Sequence, residues 1–293
     1  MPDSKLFAVT GKPVLHSVSP QMHNAGFAAL GMKAACTRIA ADSGEEAVML
    51  AKQMGISGMS VTAPFKEEML ALCGRLDRNA RATGAVNTAT IAGDGRLNGF
   101  NTDVDGVRMA LEGNGVEISG SRAVVVGAGG AARAAVLALI GAGAAVTIAN
   151  RTAGKARKMA DEFGCGYCGL GNNELLTALS QADILVSTAS TADRLVPQQL
   201  LGKNLAVLDA YYAAESALAK DAKGRGCRVI GPQEWLLCQG FAAFELFTGK
   251  KAQRKAMRKA VGEAFANRKR KSSRVALVGM MGSGKSSVAA KIA

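Results

Sequence analysis

Short apolar runs alternate with longer amphipathic stretches along most of the chain. Leu6 to Thr10 predicts a strand, and a helix is expected over about residues 20–30, after a polar loop. The alternation continues to about residue 90, and Gly99 to Asp103 is expected to be a loop that leads into a helix. Such a pattern is typical of a parallel sheet covered by helices, and it predicts an α/β fold.

A second alternating region begins after a polar joint at Ser119 to Arg122. Its predicted strands are the apolar runs at 123–126, 146–149, 183–188 and 205–209. A helical stretch with an interruption near Gly249 is expected over 233–266, followed by a polar linker over 268–273 and one more strand over 274–278. The pattern therefore predicts two α/β regions and a short third element.

Composition and charge narrow the class of protein. The chain has 293 residues, of which 48% are hydrophobic, so it can bury a large core and is not a disordered chain. The net charge of +13 is concentrated at one end, because residues 250–274 contribute 11 − 1 = +10 and the later residues contribute +2, which leaves +1 for residues 1–249. Such a basic tail is typical of a solvated helix face and a linker. We expect no nucleic-acid partner.

Neither targeting nor a membrane span is expected. The first residues carry charge and lead into a very short apolar run, unlike a secretory signal. The longest uncharged apolar stretch, residues 134–150, is short and is broken by Gly141 and Gly143. A cytoplasmic location is therefore expected. The 6 cysteines are expected to be reduced, and the isolated Cys165-Gly-Tyr-Cys168 is not expected to bind a metal.

A glycine-rich turn at 127–132 is the clearest chemical motif. It follows the predicted strand at 123–126 and opens an apolar helix. Gly127 permits the tight turn, Gly129 lets the backbone approach a diphosphate, and Ala132 lets the helix pack closely on the strand. Ala128, Gly130 and Ala131 complete the turn. They lie at the helix N-terminus, where N–H groups face the anion. The motif predicts a bound dinucleotide.

The residues after the next strand indicate which dinucleotide is bound. An acidic residue there would hold the ribose 2′-hydroxyl of NAD. This chain has Asn150-Arg151-Thr152 instead, with Lys155 close behind. Because a guanidinium pairs well with a phosphate group, the sequence favours NADP.

Two polar loops in the first hundred residues carry candidate substrate chemistry. Ser17 lies just before a predicted helix start, at which Ser19 is expected as the N-cap and Pro20 as the first helical residue. Hydroxyls and free N–H groups there would bind a carboxylate, although a plain capping motif explains these residues equally well. Lys66 follows a turn made rigid by proline, where an ammonium could stabilise an oxyanion and supply a proton. Asp103 could orient Lys66.

Together these motifs resemble the shikimate dehydrogenase family over residues 1 to about 271. The resemblance is carried by Ser17-Val-Ser19-Pro20, His23-Asn24, Val61-Thr62-Ala-Pro64-Phe-Lys66, Gly84-Ala-Val-Asn87-Thr88, Asn101-Thr-Asp103, Gly127-Ala-Gly-Gly-Ala131, Asn150-Arg-Thr152 and Cys238-Gln239-Gly240. It implies reversible, NADP-linked reduction of 3-dehydroshikimate to shikimate, a step in the biosynthesis of chorismate and the aromatic amino acids.

The resemblance also implies residue roles. Lys66 and Asp103 would be the catalytic pair, and the substrate site would be lined by Ser17, Ser19, Thr62, Asn87, Tyr212 and Gln239. The chain departs from the family pattern at Ser60, at Phe65, and at Gly231 to Trp235, where many members have a glycine-rich turn. That last segment would pack near the nicotinamide.

Domain boundaries are expected from the position of the glycine turn, which opens a fresh strand–loop–helix unit after the substrate loops. Residues 1–104, completed by helices over 241–267, are expected to form a substrate-binding lobe, and residues 105–240 a Rossmann lobe that binds NADP. The active site is expected in the cleft between the two lobes. A monomer or a homodimer is expected, with a small-molecule substrate and no metal.

A second nucleotide motif lies near the end of the sequence, in residues 268–293 with their basic linker. A predicted strand leads into G-x-x-x-x-G-K-S, whose phosphate- and Mg²⁺-binding positions are Gly279, Gly284, Lys285 and Ser286. This stretch resembles the start of shikimate kinase. Because 293 − 286 = 7 residues follow Ser286, we expect a truncated dehydrogenase–kinase fusion whose P-loop stub has no kinase activity.

Other functions stay open at this point. A quinate/shikimate dehydrogenase of broader specificity would carry the same motifs, and the sequence does not decide between the two substrates. A non-catalytic regulator that senses a dinucleotide on the same fold is disfavoured, because Lys66 and Asp103 are both present. A phosphotransferase is disfavoured by the short stretch after Ser286.

Overall fold

The computed structural model describes residues 4–171, 173–212 and 214–269. The first lobe contains β1 Lys5–Gly11, α1 Ser19–Ala29, β2 Ala34–Ala40, α2 Gly44–Gln53, β3 Ile56–Val61, α3 Glu68–Leu72, β4 Arg75–Leu76, α4 Arg78–Thr83, β5 Thr88–Ile91, β6 Leu97–Phe100 and α5 Asp103–Gly113. The chain continues with β7 Arg122–Val126, α6 Gly130–Gly141, β8 Ala145–Asn150, α7 Ala153–Phe163, β9 Gly166–Gly169, α8 Asn173–Ser180, β10 Ile184–Ser187, β11 Ala206–Asp209, α9 Ala217–Gly224, β12 Arg228–Ile230, α10 Pro232–Thr248 and α11 Arg254–Lys269. The predicted α/β class is confirmed.

The first sheet is mixed, so the expectation of a parallel sheet is wrong for this half of the chain. Its strand order is β2-β1-β3-β5-β6-β4. β1 pairs parallel with β2 and β3, whereas β5 pairs antiparallel with β3 and β6. A tight turn containing Gly95, with φ of +80°, returns β6 directly beside β5. Gly99 and Phe100 consequently lie in β6 and not in the predicted loop.

The second sheet is parallel throughout its described strands. Its order is β12-β11-β10-β7-β8-β9, so the chain runs from central β7 to one edge and then from β10 to the other. Residues 123–126 of β7 are at most 2% exposed, as expected for a strand covered on both faces. The reversal between β7 and β10 is the switch point at which doubly wound sheets bind dinucleotides, and the predicted Rossmann-like sheet is confirmed.

Two C-terminal helices return to the first lobe. α10 crosses α5 so closely that a Cβ added at Gly106 would lie 2.8 Å from Cβ of Gln239. α11 packs along α1. The two helices are separated at Gly249, with φ of +66°, as the sequence predicted. The linker predicted from residue 268 is wrong at its start, because α11 continues through Lys269.

An arginine of α6 joins the two lobes. Nε of Arg133 donates to the carbonyl of Thr83 at the end of α4, with a distance of 2.6 Å. Its Nη1 lies 2.7 Å from Oε2 of Glu162, and its guanidinium lies 5.1 Å from the ring centroid of Phe163. The helix that follows the glycine turn is thereby tied to the substrate lobe.

A histidine of α1 is buried among aromatic rings. The ring centroid of His23 lies 6.2 Å from that of Phe244 and 5.4 Å from that of Phe247. Within the part of the chain that the structure describes, neither ring nitrogen has a hydrogen-bond partner. Because burial without a partner disfavours the charged imidazole, the pKa of His23 is lowered to about 4.

The helices of residues 4–171, 173–212 and 214–269 include none with the length and apolar character that a bilayer crossing requires.

Candidate active site

A cavity of about 220 Å³ lies between the loops of the first lobe, α10 and the second sheet. The structure places around it every residue predicted for catalysis and substrate binding: Ser17, Ser19, Thr62, Lys66, Asn87, Asp103, Tyr212 and Gln239. These residues come from distant parts of the sequence. The fold therefore gathers the polar groups of several loops at one concave site, which is the usual form of a small-molecule site.

Lys66 and Asp103 form a close ion pair at this cavity. Lys66 follows the turn after β3, and Asp103 is the first residue of α5. Lys66 Nζ lies 2.5 Å from Asp103 Oδ2, and the two side chains are only 23% and 11% exposed. The attraction is less screened by water than in an exposed pair. An ammonium group is therefore held at a fixed place in the cavity wall.

Asn101 fixes the backbone at the start of α5. Its Nδ2 donates to Thr83 Oγ1 at 2.8 Å and to the carbonyl of Ala85 at 2.9 Å. Its Oδ1 accepts from the backbone N–H of Asp103 at 3.1 Å. All the polar atoms of this buried amide thus help to position the residue that carries the carboxylate.

Asn87 and Gln239 belong to one hydrogen-bond network. Asn87 Oδ1 accepts from the backbone N–H of Thr102 at 2.8 Å and from the Thr88 hydroxyl at 3.0 Å. Its Nδ2 lies 3.4 Å from Gln239 Oε1, and Gln239 Nε2 donates to the carbonyl of Leu236 at 2.9 Å. With its oxygen occupied, Asn87 presents amide N–H donors to Gln239 and to a ligand in the cavity.

The serine loop differs in one detail from its prediction. α1 begins at Ser19, preceded by Val18, so Ser19 is not the N-cap and Pro20 is the second helical residue. The Ser17 hydroxyl lies 3.1 Å from that of Ser19 and accepts from the Ser19 N–H at 3.3 Å. Because Ser17 receives this N–H, Ser19 is free to adopt helical geometry one residue early. Both hydroxyls line the cavity at a helix N-terminus.

A contact across the cleft joins the two lobes at the cavity. His16 Nε2 lies 3.1 Å from the Tyr212 hydroxyl, and the two rings stack with centroids 6.0 Å apart. Tyr212 follows β11 of the second sheet, whereas His16 precedes α1 of the first lobe. Both residues line the cavity, so its wall is completed only by residues from both lobes.

Several lining residues were not predicted as substrate-site residues. Ser60 was noted only as a departure from the family pattern, Pro232 and Trp235 belong to the segment expected near the nicotinamide, and His16, Ala210, Leu236 and Phe265 were not singled out. Apolar residues on helices are usually core residues, so no local pattern marks Leu236 or Phe265 as cavity lining. Ala210 follows directly after β11, and its position at a strand end next to the switch point was a usable signal.

The glycine turn has the geometry that a dinucleotide requires. Gly127 has φ of +121°, and a Cβ there would lie 2.2 Å from Thr188 Oγ1, so only glycine fits. A Cβ added at Gly129 or Gly130 would have no neighbour within 4 Å among the described residues. Gly129 precedes α6 and has no side chain to cap its first N–H groups. The open space and the helix N-terminus together fit a diphosphate.

The predicted selectivity residues lie beside this turn. Asn150 ends β8, which pairs with β7, and Asn150 Nδ2 donates to the carbonyl of Thr152 at 3.1 Å. Arg151, Thr152 and Lys155 are exposed. They do not line the 220 Å³ cavity, to which Ala131 alone of the predicted cofactor residues contributes. This arrangement suits a ligand that extends from the cavity across the end of the sheet.

The Cys165–Cys168 pair shows no reactive character. Both thiols are free, and burial raises the pKa of each. Burial thus disfavours the thiolate, the form that binds metals and attacks disulfides. In the described ranges no group of three His, Cys, Asp or Glu residues could hold a metal ion. The P-loop positions Gly279, Gly284, Lys285 and Ser286 lie outside the described residues.

Three parts of the chain match known protein families. Residues 9–89 match the shikimate dehydrogenase substrate binding domain, residues 109–207 match shikimate / quinate 5-dehydrogenase, and residues 236–261 match the shikimate 5′-dehydrogenase C-terminal domain. The first match includes the serine and lysine loops, and the second includes the glycine turn.

Whole proteins and solved structures agree with these matches. A shikimate dehydrogenase (NADP(+)) from Haloarcula marismortui is 42% identical over 254 residues, which cover 84% of this chain and 94% of that protein. Shikimate 5-dehydrogenase from Thermus thermophilus, solved in complex with NADP(H) and shikimate, has a TM-score of 0.81 at 33% identity and covers 89% of this chain and 99% of its own. Quinate dehydrogenase from Corynebacterium glutamicum in complex with NAD also has a TM-score of 0.81, at 26% identity with the same coverage. On sequence and fold alike, the chain belongs to the shikimate dehydrogenase family.

Proposed function

We propose that the cavity is the active site of an NADP-dependent shikimate dehydrogenase, with Lys66 and Asp103 as its catalytic pair. The chain is an oxidoreductase that interconverts shikimate and 3-dehydroshikimate with NADP as cofactor. The observation that carries the residue assignment is the 2.5 Å ion pair inside a cavity lined by hydroxyl and amide side chains.

The proposed chemistry places one ammonium at the reacting carbonyl. When bound, NADPH supplies a hydride to the carbonyl carbon. Negative charge then develops on the carbonyl oxygen, and Lys66 stabilises that charge and transfers a proton to the oxygen to form the hydroxyl. Asp103 touches Lys66 at 2.5 Å and holds the ammonium in place until it transfers the proton.

The remaining cavity residues are proposed to bind the substrate. Ser17 and Ser19 would receive its carboxylate, since their hydroxyls are adjacent and lie at the N-terminus of α1. The hydroxyl groups of the ring would be bound by Thr62, Asn87, Tyr212 and Gln239. Asn87 and Gln239 are already oriented by protein hydrogen bonds, so little side-chain entropy is lost on binding.

The cofactor is proposed to bind across the second sheet. Backbone N–H groups of residues 127–131 would hold the diphosphate, because the space beside Gly129 and Gly130 is open. Arg151 would pair with the 2′-phosphate, with Asn150, Thr152 and Lys155 around it.

The domain division and the cellular setting stay proposals. Residues 1–104 with 241–267 would form the substrate lobe, and residues 105–240 the NADP lobe. The protein would act in the cytoplasm as a monomer or a homodimer, without a nucleic-acid partner. Light scattering on the purified chain, with and without added DNA, tests the last two points.

One assay separates the proposed function from its alternatives. Turnover is measured with NADP and with NAD, each with shikimate and with quinate. We expect the highest kcat/KM for NADP with shikimate. A kcat/KM for quinate within about tenfold of that for shikimate would favour the broader quinate/shikimate dehydrogenase, for which the fold of the Corynebacterium enzyme is a precedent. Dinucleotide binding without any turnover would favour the regulator.

The P-loop sequence at residues 279–286 is proposed to be the start of a shikimate-kinase-like segment. No phosphorylation of shikimate by Mg-ATP is expected from this chain. Detection of a phosphorylated product that disappears in Lys285→Ala would contradict that expectation.

A further inference from the structure

The loop that carries Ser17 is fixed by a side chain from the edge of the first sheet. We propose that Arg38 is a positioning residue that places Ser17 for the substrate carboxylate. The proposal rests on the proposed function, in which Ser17 and Ser19 bind that carboxylate. None of the motifs that identify the family contains Arg38.

The guanidinium of Arg38 reaches both the loop and the helix that follows it. Arg38 Nε and Nη2 donate to the carbonyl oxygen of Ser17, at 3.1 and 2.5 Å. Nη2 also donates to Gln21 Oε1 in the first turn of α1, at 3.1 Å. Hydrogen bonds from a charged donor are about twice as strong as neutral ones, and two donors on one oxygen also fix its direction.

Hydrogen bonds from Arg38 add to the packing of this loop, whose middle contacts the second lobe through the stacking of His16 on Tyr212. Val14 and Val18 are buried at its two ends, whereas Leu15 between them is 79% exposed. Residues 16–18 line the substrate cavity on one side and an open groove on the other, and Arg38 lies in that groove. The loop thus separates the substrate cavity from the groove that contains Arg38. Within the loop, the Ser17 N–H donates to the carbonyl of Val14 at 2.9 Å, and Arg38 holds the Ser17 carbonyl from the groove side.

The base of Arg38 is itself held in place relative to α1. Arg38 belongs to β2, the edge strand of the sheet. The Asn24 side chain of α1 accepts from the Cys36 N–H at 2.6 Å and donates to the Cys36 carbonyl at 3.1 Å. These bonds tie β2 to the helix two residues before Arg38. A displacement of Ser17 would therefore strain its bonds to Arg38, because the β2 backbone that carries the arginine is tied to α1 and not to the loop.

This position predicts a selective effect. Ser17 sits at the carboxylate end of the substrate, whereas Lys66 acts at the reacting carbonyl. Loss of Arg38 should weaken binding of the carboxylate and leave the hydride-transfer step nearly intact. Interactions that are equal in ground and transition states change KM and not kcat.

The test compares Arg38→Met with Arg38→Lys in the full chain. We expect Arg38→Met to raise KM for shikimate about tenfold or more and to change kcat less than about threefold, the scale of one charged hydrogen bond. Arg38→Lys keeps the charge but lacks the paired donors, so it should recover less than half of that loss on a logarithmic scale. Arg96→Met, which removes an exposed arginine paired with Asp94 in the same lobe, is the matched control and should match the wild type.

A neutral ligand separates positioning from general damage within one variant. Trp235 is the chain's 1 tryptophan and lines the cavity, so its fluorescence reports ligand binding without turnover. Arg38→Met should weaken binding of shikimate but leave binding of shikimate methyl ester within about twofold. Misfolding would weaken both ligands.

The proposal is overturned by an unchanged KM in Arg38→Met, by full recovery in Arg38→Lys, or by equal weakening of acid and ester. Failure of the wild-type chain to turn over shikimate would instead refute the proposed function.

Discussion

Polar side chains line the substrate half of the cleft, whereas bare backbone lines the place proposed for the cofactor's diphosphate. Around the substrate cavity, Lys66 touches Asp103, and Asn87 accepts from Thr102 and Thr88, so the polar groups are already paired. At the glycine turn, the positions of Gly129 and Gly130 face open space. The cofactor half therefore offers backbone N–H groups that can bind a phosphate group.

The difference follows from what each half must recognise. A small polyol acid is distinguished from its relatives by the direction of each donor and acceptor, which oriented side chains supply. A diphosphate is recognised by charge and by a helix N-terminus, for which any side chain would be an obstacle. Substitutions should consequently damage the two halves in different ways.

The largest effect is expected at the catalytic pair. Lys66→Ala should lower kcat by about 10²–10⁴, because the ammonium is needed most when charge develops on the carbonyl oxygen. KM for shikimate should change far less. Since Lys66 and Asp103 act as a unit, the Lys66→Ala/Asp103→Ala double variant should be little worse than the worse single variant. Steady-state kinetics measure both.

Lys12→Ala is the matched control for that experiment, because Lys12 pairs with Asp42 in an exposed salt bridge of the same lobe. A normal kcat with a raised KM in Lys66→Ala would make Lys66 a binding residue. Fully additive losses in the double variant would reject the coupled pair.

In the cofactor half, one exposed side chain is expected to set the choice of dinucleotide. Arg151→Ala should raise KM for NADP about ten- to a hundredfold, the loss of a charged contact of about 1.5–3 kcal/mol, and should leave KM for NAD nearly unchanged. Arg157→Ala, an exposed arginine of α7 with a 3.9 Å contact to Asp161, is the control. Equal effects on the two cofactors would show that Arg151 does not read the 2′-phosphate.

Among the described residues of the substrate lobe, His23 is a titratable side chain that is buried without a hydrogen-bond partner, and its effect on stability should appear in acid. Its pKa is about 4 in the folded chain against 6.5 when exposed, so between these values the unfolded chain binds a proton that the folded chain does not. The contribution of His23 to the free energy of unfolding has its full value above about pH 6.5 and decreases as the pH falls. The loss should reach about 2 kcal/mol at pH 5.

Urea unfolding at pH 7.5 and pH 5 measures this loss. His23→Leu should remove it from the difference between the two pH values, whatever that substitution does to stability at pH 7.5. An identical pH dependence in His23→Leu and the wild type would contradict the prediction.

The smallest effect is expected outside both halves. Deleting residues 272–293 should leave dehydrogenase turnover within about twofold, less than about 0.5 kcal/mol in the activation free energy. The deletion begins beyond the last described residue of α11. A large loss of turnover would show that the tail contributes to the cleft.

The sequence predicted the polar motifs better than it predicted the order and direction of the strands. Lys66, Asp103 and Gly127 were found because proton transfer and a tight turn each require particular residue types. β5 and β6 were expected in a parallel sheet, although Asp94-Gly95 between two short apolar runs is a hairpin signal. The helix–strand alternation on both sides of this turn is the stronger pattern, and it favoured a parallel sheet over a hairpin.

Other features could not be found locally. Leu236 and Phe265 line the cavity only because α10 and α11 return to the first lobe, and an apolar residue on a helix carries no mark of that return. Arg38 looks like an ordinary strand residue until its guanidinium is seen at the Ser17 carbonyl. Long-range contacts, and not residue types, decide such cases.

The hydrogen bond from Arg133 to Thr83 connects the two lobes near the catalytic loops. Thr83 offers its carbonyl to Arg133 of the cofactor helix and its hydroxyl to Asn101, which in turn receives the N–H of Asp103. Thus three hydrogen bonds connect the helix after the glycine turn to Asp103, whose carboxylate is proposed to be catalytic. Drawing the lobes apart at this point would cost a charged hydrogen bond of about 1.5–3 kcal/mol. Thr83, which lies in neither motif, therefore links the position of the glycine turn to that of Asp103.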